Sequence, residues 1–209
     1  MSLHSAHPRR AGMTVEIRGN LSANNIVLSE KFRRYSTGSI LFNGEGARVE
    51  IDGPVTSGDF SLAIGSHASV TIGADCVIGR LTLNAFGEGA RIDIGREVGF
   101  AGAVSLSTHE GAQISIGARC LIAGDTVFSA SDFHPVFDVA TGERINWASD
   151  IRVGEHVWVG ARAMILKGAS IGRDSVVGAG SIVTSDFDSN SLIVGNPARL
   201  LRSGVCWSH

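Results

Sequence analysis

Along residues 153–183 an aliphatic side chain recurs at every sixth position: Val153, Val159, Ile165, Ile171, Val177 and Val183. Four residues after each of the first five stands a small or β-branched residue: Val157, Ala163, Ala169, Ser175 and Ser181. Glycine follows the aliphatic residue in four hexads, as Gly154, Gly160, Gly172 and Gly178. A period of six fits neither a lone amphipathic helix, with about 3.6 residues per turn, nor a lone strand, with its alternation of two. It fits a short strand and a tight corner, repeated, in which positions i and i+4 both point inward. The glycine is expected to supply a corner conformation that a Cβ would hinder. Three such units close a coil of roughly 18 residues, and the coils stack as parallel strands about 4.8 Å apart.

Upstream the repeat is longer. EGARVEIDG (45–53), SHASVTIG (66–73), EGARIDIG (88–95) and EGAQISIG (110–117) align and place Ile51, Ile72, Ile94 and Ile116 inward, 21 or 22 residues apart. A second hexad follows with Ile78, Phe100 and Ile122. The small inward slots are assigned to Cys76, Thr82, Val98, Val104, Cys120 and Thr126, whereas Leu83 and Leu106 do not share a phase. These coils read as triangles with about four extra residues at one corner, a repeat signal specific to solenoids. Before them, Val15 and Ile17, Ile26 and Leu28, and Ile40 and Phe42 alternate like strands. The polar SEKFRRYSTG (29–38) between them reads as a loop. Residues 1–45 are expected to hold an irregular first coil that shields the open end.

From Ile116 to Val153 the spacing widens to 37 residues, so about 15 are inserted, within SASDFHPVFDVATGERINWASD (129–150). A loop thrown out of a regular scaffold is where function concentrates. After Val183, Leu192 and Val194 suggest a last strand that Pro197 stops. The C-terminal strand and tail span 192–209, with Leu201 and Trp207 expected as apolar anchors across the final coil.

Composition narrows the function. The 209 residues read as one continuous domain, 1–209, with 27 Gly at corners and only 4 Pro. A net charge of −2 with no basic stripe excludes a nucleic-acid partner. No apolar run approaches the roughly 18 residues of a membrane span. Residues 1–14 read as a loose leader without a signal-peptide core. Cys76 and Cys120 fall two coils apart, roughly 9.6 Å, beyond the roughly 7 Å that a disulfide tolerates between Cα atoms. They read as inert core thiols of a cytoplasmic protein. Of the seven histidines, His4, His7 and His209 are terminal and His67, His109 and His156 sit at corners. Only His134 lies inside the inserted loop.

The run from Asp132 to Arg202 resembles the sugar O-acetyltransferase branch of the hexapeptide-repeat acyltransferases. SDFHPVFD, RIN, DIRVGEHVWVG, ILKGASIG, VVGAGSIVT and GNPAR stand in that family's order. The likeness extends to galactoside and maltose acetyltransferases and to polysialic acid O-acetyltransferases. It implies an all-β fold, a left-handed parallel β-helix with one extended loop and a short tail; the hand comes from the resemblance, since parallel crossovers in general favour the right hand. It implies an acetyl-CoA-dependent enzyme acetylating a sugar or surface-polysaccharide hydroxyl, with His134 as general base and Trp158 sharing the site. It implies coenzyme A contacts at Ala161, Ala179, Thr184, Ser185, Arg199 and Arg202; Ser185 stands where the family often has Lys. A homotrimer with its active centres between subunits follows, and no metal.

The chemistry agrees. Transfer from a thioester to a hydroxyl needs a base titrating near neutrality, which histidine supplies. Asp132 or Asp138 could fix its tautomer, and Lys167 is a weaker donor contact. Other readings are N-acetylation of an amino sugar, serine O-acetylation, a γ-type carbonic anhydrase, which would need three zinc-binding histidines, and a non-catalytic scaffold.

Overall fold

The computed structural model describes residues 14–208 apart from Pro54 and Ser57. The first thirteen residues of the leader and His209 lie outside the described residues. Apart from the antiparallel pair at the C-terminal end, the strands pair in parallel with the strand one coil away, not with their neighbour in sequence. The hexad positions become register partners: Val153 with Ile171, Val159 with Val177, and Ile165 with Val183. The longer coils join the same columns through Ile51, Ile72, Ile94, Ile116 and Val153. All of these side chains are buried. The result is a left-handed parallel β-helix of three faces.

The first face is a seven-stranded sheet that includes Asn25–Leu28, Arg48–Ile51, Gln113–Ile116 and Ser170–Ile171. The second and third faces merge into one 14-stranded sheet, because Val77–Ala85 and Gly99–Thr108 run unbroken around the edge between them. The second face carries the column Ile78, Phe100, Ile122, Val159, Val177 and Ile193. The third carries Leu62, Leu83, Leu106, Phe128, Ile165 and Val183.

Leu83 and Leu106 are therefore direct partners, contrary to the phase read from the sequence. The register shifts between Phe100 and Ala103, where the upper strand holds one residue more than the lower. Such a bulge displaces every later residue by one and flips the face assignment. The same slip corrects Thr82, which pairs with Ser105 and faces outward, while Leu81 fills the inward slot beside Val104. The other assigned slots, Cys76, Val98, Val104, Cys120 and Thr126, are buried. Burial pushes both core thiols up to about 11, so they are protonated and unreactive at neutral pH.

The glycine of the repeat answers a different need from the one expected. A Cβ on Gly117 would lie 2.5 Å from the Glu155 nitrogen of the next coil, and one on Gly154 would lie 2.6 Å from that of Arg173. Close approach of successive backbones is what excludes a side chain there. The left-handed conformation instead falls two residues later, at Glu97, Arg119, His156 and Asp174, with φ between 54° and 60°.

The N-terminal coils keep the register, with Leu28 over Ile51 and Ile40 over Leu62. SEKFRRYSTG is not a loop. Ser29 accepts a hydrogen bond from the Phe32 N–H and caps a helix, Glu30–Tyr35. Phe32, fully buried, meets Phe60 edge-on at 5.4 Å. One aromatic anchor in a polar run suffices to hold the helix against the coil. At the other end Ser191–Gly195 joins the second face and Ala198–Ser203 returns antiparallel on it. Leu201 is 65% exposed and anchors nothing, whereas Trp207 does: its indole N–H donates to the His156 carbonyl at 2.7 Å.

Gly117→Ala should cost about 3 kcal/mol, since backbone must move to admit the methyl group. Gly142, with no atom within 4 Å of an added Cβ, has only its φ of 71° against substitution, worth about 1 kcal/mol. Urea unfolding of the two variants measures the difference; equal midpoints would contradict this account of the repeat glycine.

Candidate active site

The insertion leaves the edge between the third and first faces after Thr126–Ser129 and returns at Ile151–Val153. Its sequence folds back on itself. Phe137 and Arg144 form an antiparallel bridge, and the Ile145 N–H donates to the Val136 carbonyl at 2.9 Å. The turn is set by Asp138, whose carboxylate accepts from the N–H groups of Ala140 and Thr141 at 2.8 and 2.9 Å. Those donors, Thr141 first, hold its carboxyl below the usual range. Asp138 thus builds the turn and does not reach His134.

Asn146 holds the base of the loop. Its amide NH₂ donates to the Asp132 carboxylate and to the His134 carbonyl, each at 2.8 Å. Its amide oxygen accepts from the Val136 N–H at 2.6 Å. Lys167, from the next coil, ion-pairs with Asp132 and hydrogen-bonds the Asn146 carbonyl at 3.3 Å. Lys167 first, then Asn146, lowers the Asp132 pKa. A second tether is Arg144, whose Nη2 donates to both carboxylate oxygens of Glu110, at 2.8 and 2.9 Å, with the guanidinium lying over the Trp147 ring at 4.3 Å.

His134 is therefore fixed through its backbone, its N–H also donating to the Asp132 carbonyl at 2.7 Å, while its ring is exposed. Among the described residues no side chain hydrogen-bonds the imidazole, so neither Asp132 nor Asp138 sets its tautomer within this chain. The backbone of His134 is thus held in place while its imidazole is open to solvent.

The remaining candidates divide among the edges of the prism. Ala161 and Ala179 stack one coil apart at the corner between second and third faces, the Gly180 N–H donating to the Ala161 carbonyl at 2.9 Å. Arg199 pairs with Val194 on the tail strand just above that corner. Thr184 and Ser185 are exposed one coil above Leu166 and Lys167, on the edge that carries the His134 loop. Arg202 pairs with Leu192, over the second face. Trp158 projects from that second face, 40% exposed, between Leu121 and Val176. One chain thus groups Ala161, Ala179 and Arg199, but leaves Trp158 and His134 on different faces. Trp158 neighbours Trp207 instead, ring centroids 6.2 Å apart.

Among the described residues no three His, Cys, Asp or Glu side chains are grouped to share a metal ion, and no helix is long and apolar enough to cross a membrane. The loop tethers Asn146, Arg144 and Glu110 escape sequence reasoning. Their partners lie 10 to 34 residues away, and no periodicity marks them.

The family described as bacterial transferase hexapeptide (six repeats) matches residues 150–185. The polysialic acid O-acetyltransferase of Escherichia coli O1:K1 / APEC is 40% identical over 121 residues, covering 58% of this chain and 39% of that protein. The match spans about two-fifths of the length of that relative and of a putative acetyltransferase of Schizosaccharomyces pombe, 39% and 40%. Among solved structures, the polySia specific acetyltransferase NeuO aligns with a TM-score of 0.81 at 30% identity, over 96% of this chain and 90% of that one. The polysialic acid O-acetyltransferase OatWY aligns with a TM-score of 0.64 at 27% identity, over 80% of this chain and 90% of that one.

Asn146→Ala removes four side-chain hydrogen bonds, the fourth accepted from the Arg144 Nε–H at 3.4 Å, of about 1 kcal/mol each. Amide exchange across 132–147 should quicken tenfold or more while the coils exchange as before; unchanged loop exchange would refute the role of Asn146. The Asp132 carboxyl, with its lowered pKa, contributes its tether fully above its free value of about 3.9 and loses it as pH falls through the lower folded value. Loop exchange, corrected for intrinsic rates, should therefore stay flat from pH 5 to 8.

Proposed function

The chain belongs to the hexapeptide-repeat acyltransferases, in their sugar O-acetyltransferase branch, and from that premise we propose that it moves an acetyl group from acetyl-CoA to a hydroxyl of a sugar or surface-polysaccharide acceptor. The observation that carries this reading is His134: a backbone tied down by Asn146 and Asp132, with the ring left exposed. The acceptor hydroxyl gives its proton to the imidazole as its oxygen attacks the thioester carbonyl. Collapse of the tetrahedral adduct breaks the carbon–sulfur bond and the leaving sulfur takes that proton from the imidazolium, so coenzyme A departs as the thiol, the base is restored and no acetyl-enzyme forms.

The donor lies along the edge between second and third faces. Ala161 and Ala179 offer a corner without bulk, where a pantetheine arm approaches backbone closely. Arg199, whose Nη1 donates to the Ala198 carbonyl at 2.9 Å, and Arg202 have no carboxylate partner among the described residues, and a guanidinium without a counter-charge suits phosphate. Thr184 and Ser185 face the same loop as His134.

The reading also takes the protein to be a homotrimer. The outer side of the first face is laced with ion pairs, Arg48 to Glu50, Arg91 to Asp93 and Arg152 to Asp150. The other two faces expose apolar side chains, including Val77, Trp158 and Met164. Packing those two faces around a threefold axis would bring His134 of one subunit toward Trp158 of the next. Light scattering at micromolar concentration should give three times the chain mass; a monomer would count against both the assembly and a shared site.

His134→Ala should lower kcat by about 10²–10⁴ and leave coenzyme A affinity within twofold. Trp158→Ala should reduce turnover with the donor still bound. Arg199→Ala should raise the KM for acetyl-CoA by about tenfold, the worth of roughly 1.4 kcal/mol in a charge-assisted contact, with kcat recovered at saturation. A panel of sugar, amino-sugar and serine acceptors separates O- from N-acetylation. Near-normal kcat in His134→Ala with the best acceptor would overturn the assignment.

A further inference from the structure

At the edge between first and second faces, the imidazole of His156 is shared by two features the reaction above does not use. Its Nδ1–H donates to the Asp174 carboxylate at 2.9 Å, and with Glu97, Arg119 and Asp174 it lines an open cleft. Its ring also stacks on Trp207 from the tail, centroids 4.5 Å apart and planes 13° from parallel. Trp207 in turn stands 6.2 Å from Trp158 at a tilt of 44°. The tail is held in place for this: Val205 exchanges two hydrogen bonds with Asn190, and the Trp207 indole N–H donates to the His156 carbonyl. A polar cleft therefore runs into a ledge of two half-exposed indoles, one of which is Trp158.

We propose that this cleft and ledge form a subsite for an uncharged pyranose ring of the acceptor glycan, an inference that rests on the acetyl-transfer reading for its place beside Trp158. Pyranose rings offer an apolar C–H face and a rim of vicinal hydroxyls. The first matches an indole surface; the second matches carboxylates, guanidinium and imidazole set around a concavity. Charge selects the class. Along this edge every cation already has its anion: Arg96 with Glu97 at 3.2 Å, Arg119 with Glu155 at 2.9 Å, and Arg173 with Asp174 at 3.6 Å. The cleft lining itself sets the carboxylates of Glu97 and Asp174 against the guanidinium of Arg119 and the His156 ring, so it presents no excess positive charge to the carboxylate of a sialic acid. Arg202, without a carboxylate partner among the described residues, lies beyond the cleft on the second face, in the column of Trp158, Val176 and Leu192. The subsite thus favours a neutral glycan, unlike the polysialic acid in the relatives' names.

The test is a calorimetric titration of the full chain with hexamers of glucose, galactose, mannose and N-acetylglucosamine, and with an α2,8-linked sialic acid hexamer. At least one neutral hexamer should bind, at least tenfold tighter than the sialic acid hexamer. Trp207→Ala should weaken that binding tenfold or more and Glu97→Gln about fivefold, with coenzyme A affinity unchanged in both as the check on folding. His134→Ala should bind the hexamer as the unsubstituted chain does, so the titration answers independently of whether acetyl transfer occurs. Binding of no neutral hexamer, preference for the sialic acid hexamer, or undiminished binding in Trp207→Ala and Glu97→Gln would overturn the proposal.

Discussion

Everything in this molecule depends on one backbone lying directly against the next. Coil stacks on coil through parallel ladders, and at the corners the approach is so close that a Cβ on Gly117 would fall 2.5 Å from the nitrogen of Glu155. That closeness forces a single register on all three faces. The aliphatic columns follow from it, since a side chain one step out of phase would face water. So does the tolerance for the insertion. Ile116 and Val153 remain partners although 37 residues separate them, because the coil above the loop resumes the column of the coil below. The scaffold thereby offers rigid edges on which irregular chain may be hung.

Much of this is legible in the sequence because the repeat is local and dense. A hexad reports its own geometry, and the columns through Ile51 to Val183 could be written down from spacing alone. The failures have physical causes as definite as the successes. One bulged residue between Phe100 and Ala103 shifts the phase of the third face, so Thr82 and Leu83 exchange roles with their neighbours. A helix of six residues, Glu30–Tyr35, hides in a polar run because its stability comes from Phe32 against Phe60, not from an amphipathic stripe. Leu201 looks like an anchor by composition, but its strand is antiparallel at the end of the stack and turns that side chain to solvent.

The site is less legible than the scaffold. His134 stands out as the one histidine inside the insertion, but what holds it does not. Asn146 bonds across twelve residues to His134, Arg144 across 34 to Glu110, and Trp207 across 51 to His156. Such contacts are made by the fold, after the coils have brought distant segments together. The candidates also spread over three edges, with the loop base at one, the corner of Ala161 and Ala179, proposed for the donor, at a second and the aromatic ledge at the third. A solenoid displays residues along its edges and has no interior pocket in which to gather them. In the proposed reading, the surface of another copy closes the catalytic centre.

The account therefore stands on a site built from two chains, and mixing inactive subunits tests that most directly. His134→Ala and Trp158→Ala are each expected to be nearly inactive alone. Co-expressed, they should form mixed assemblies in which some interfaces hold an intact His134 from one subunit and an intact Trp158 from the next. Acetyl transfer well above the level of either variant is the predicted result. Mixed assemblies, verified by mass, that stay as inactive as their parents would contradict it.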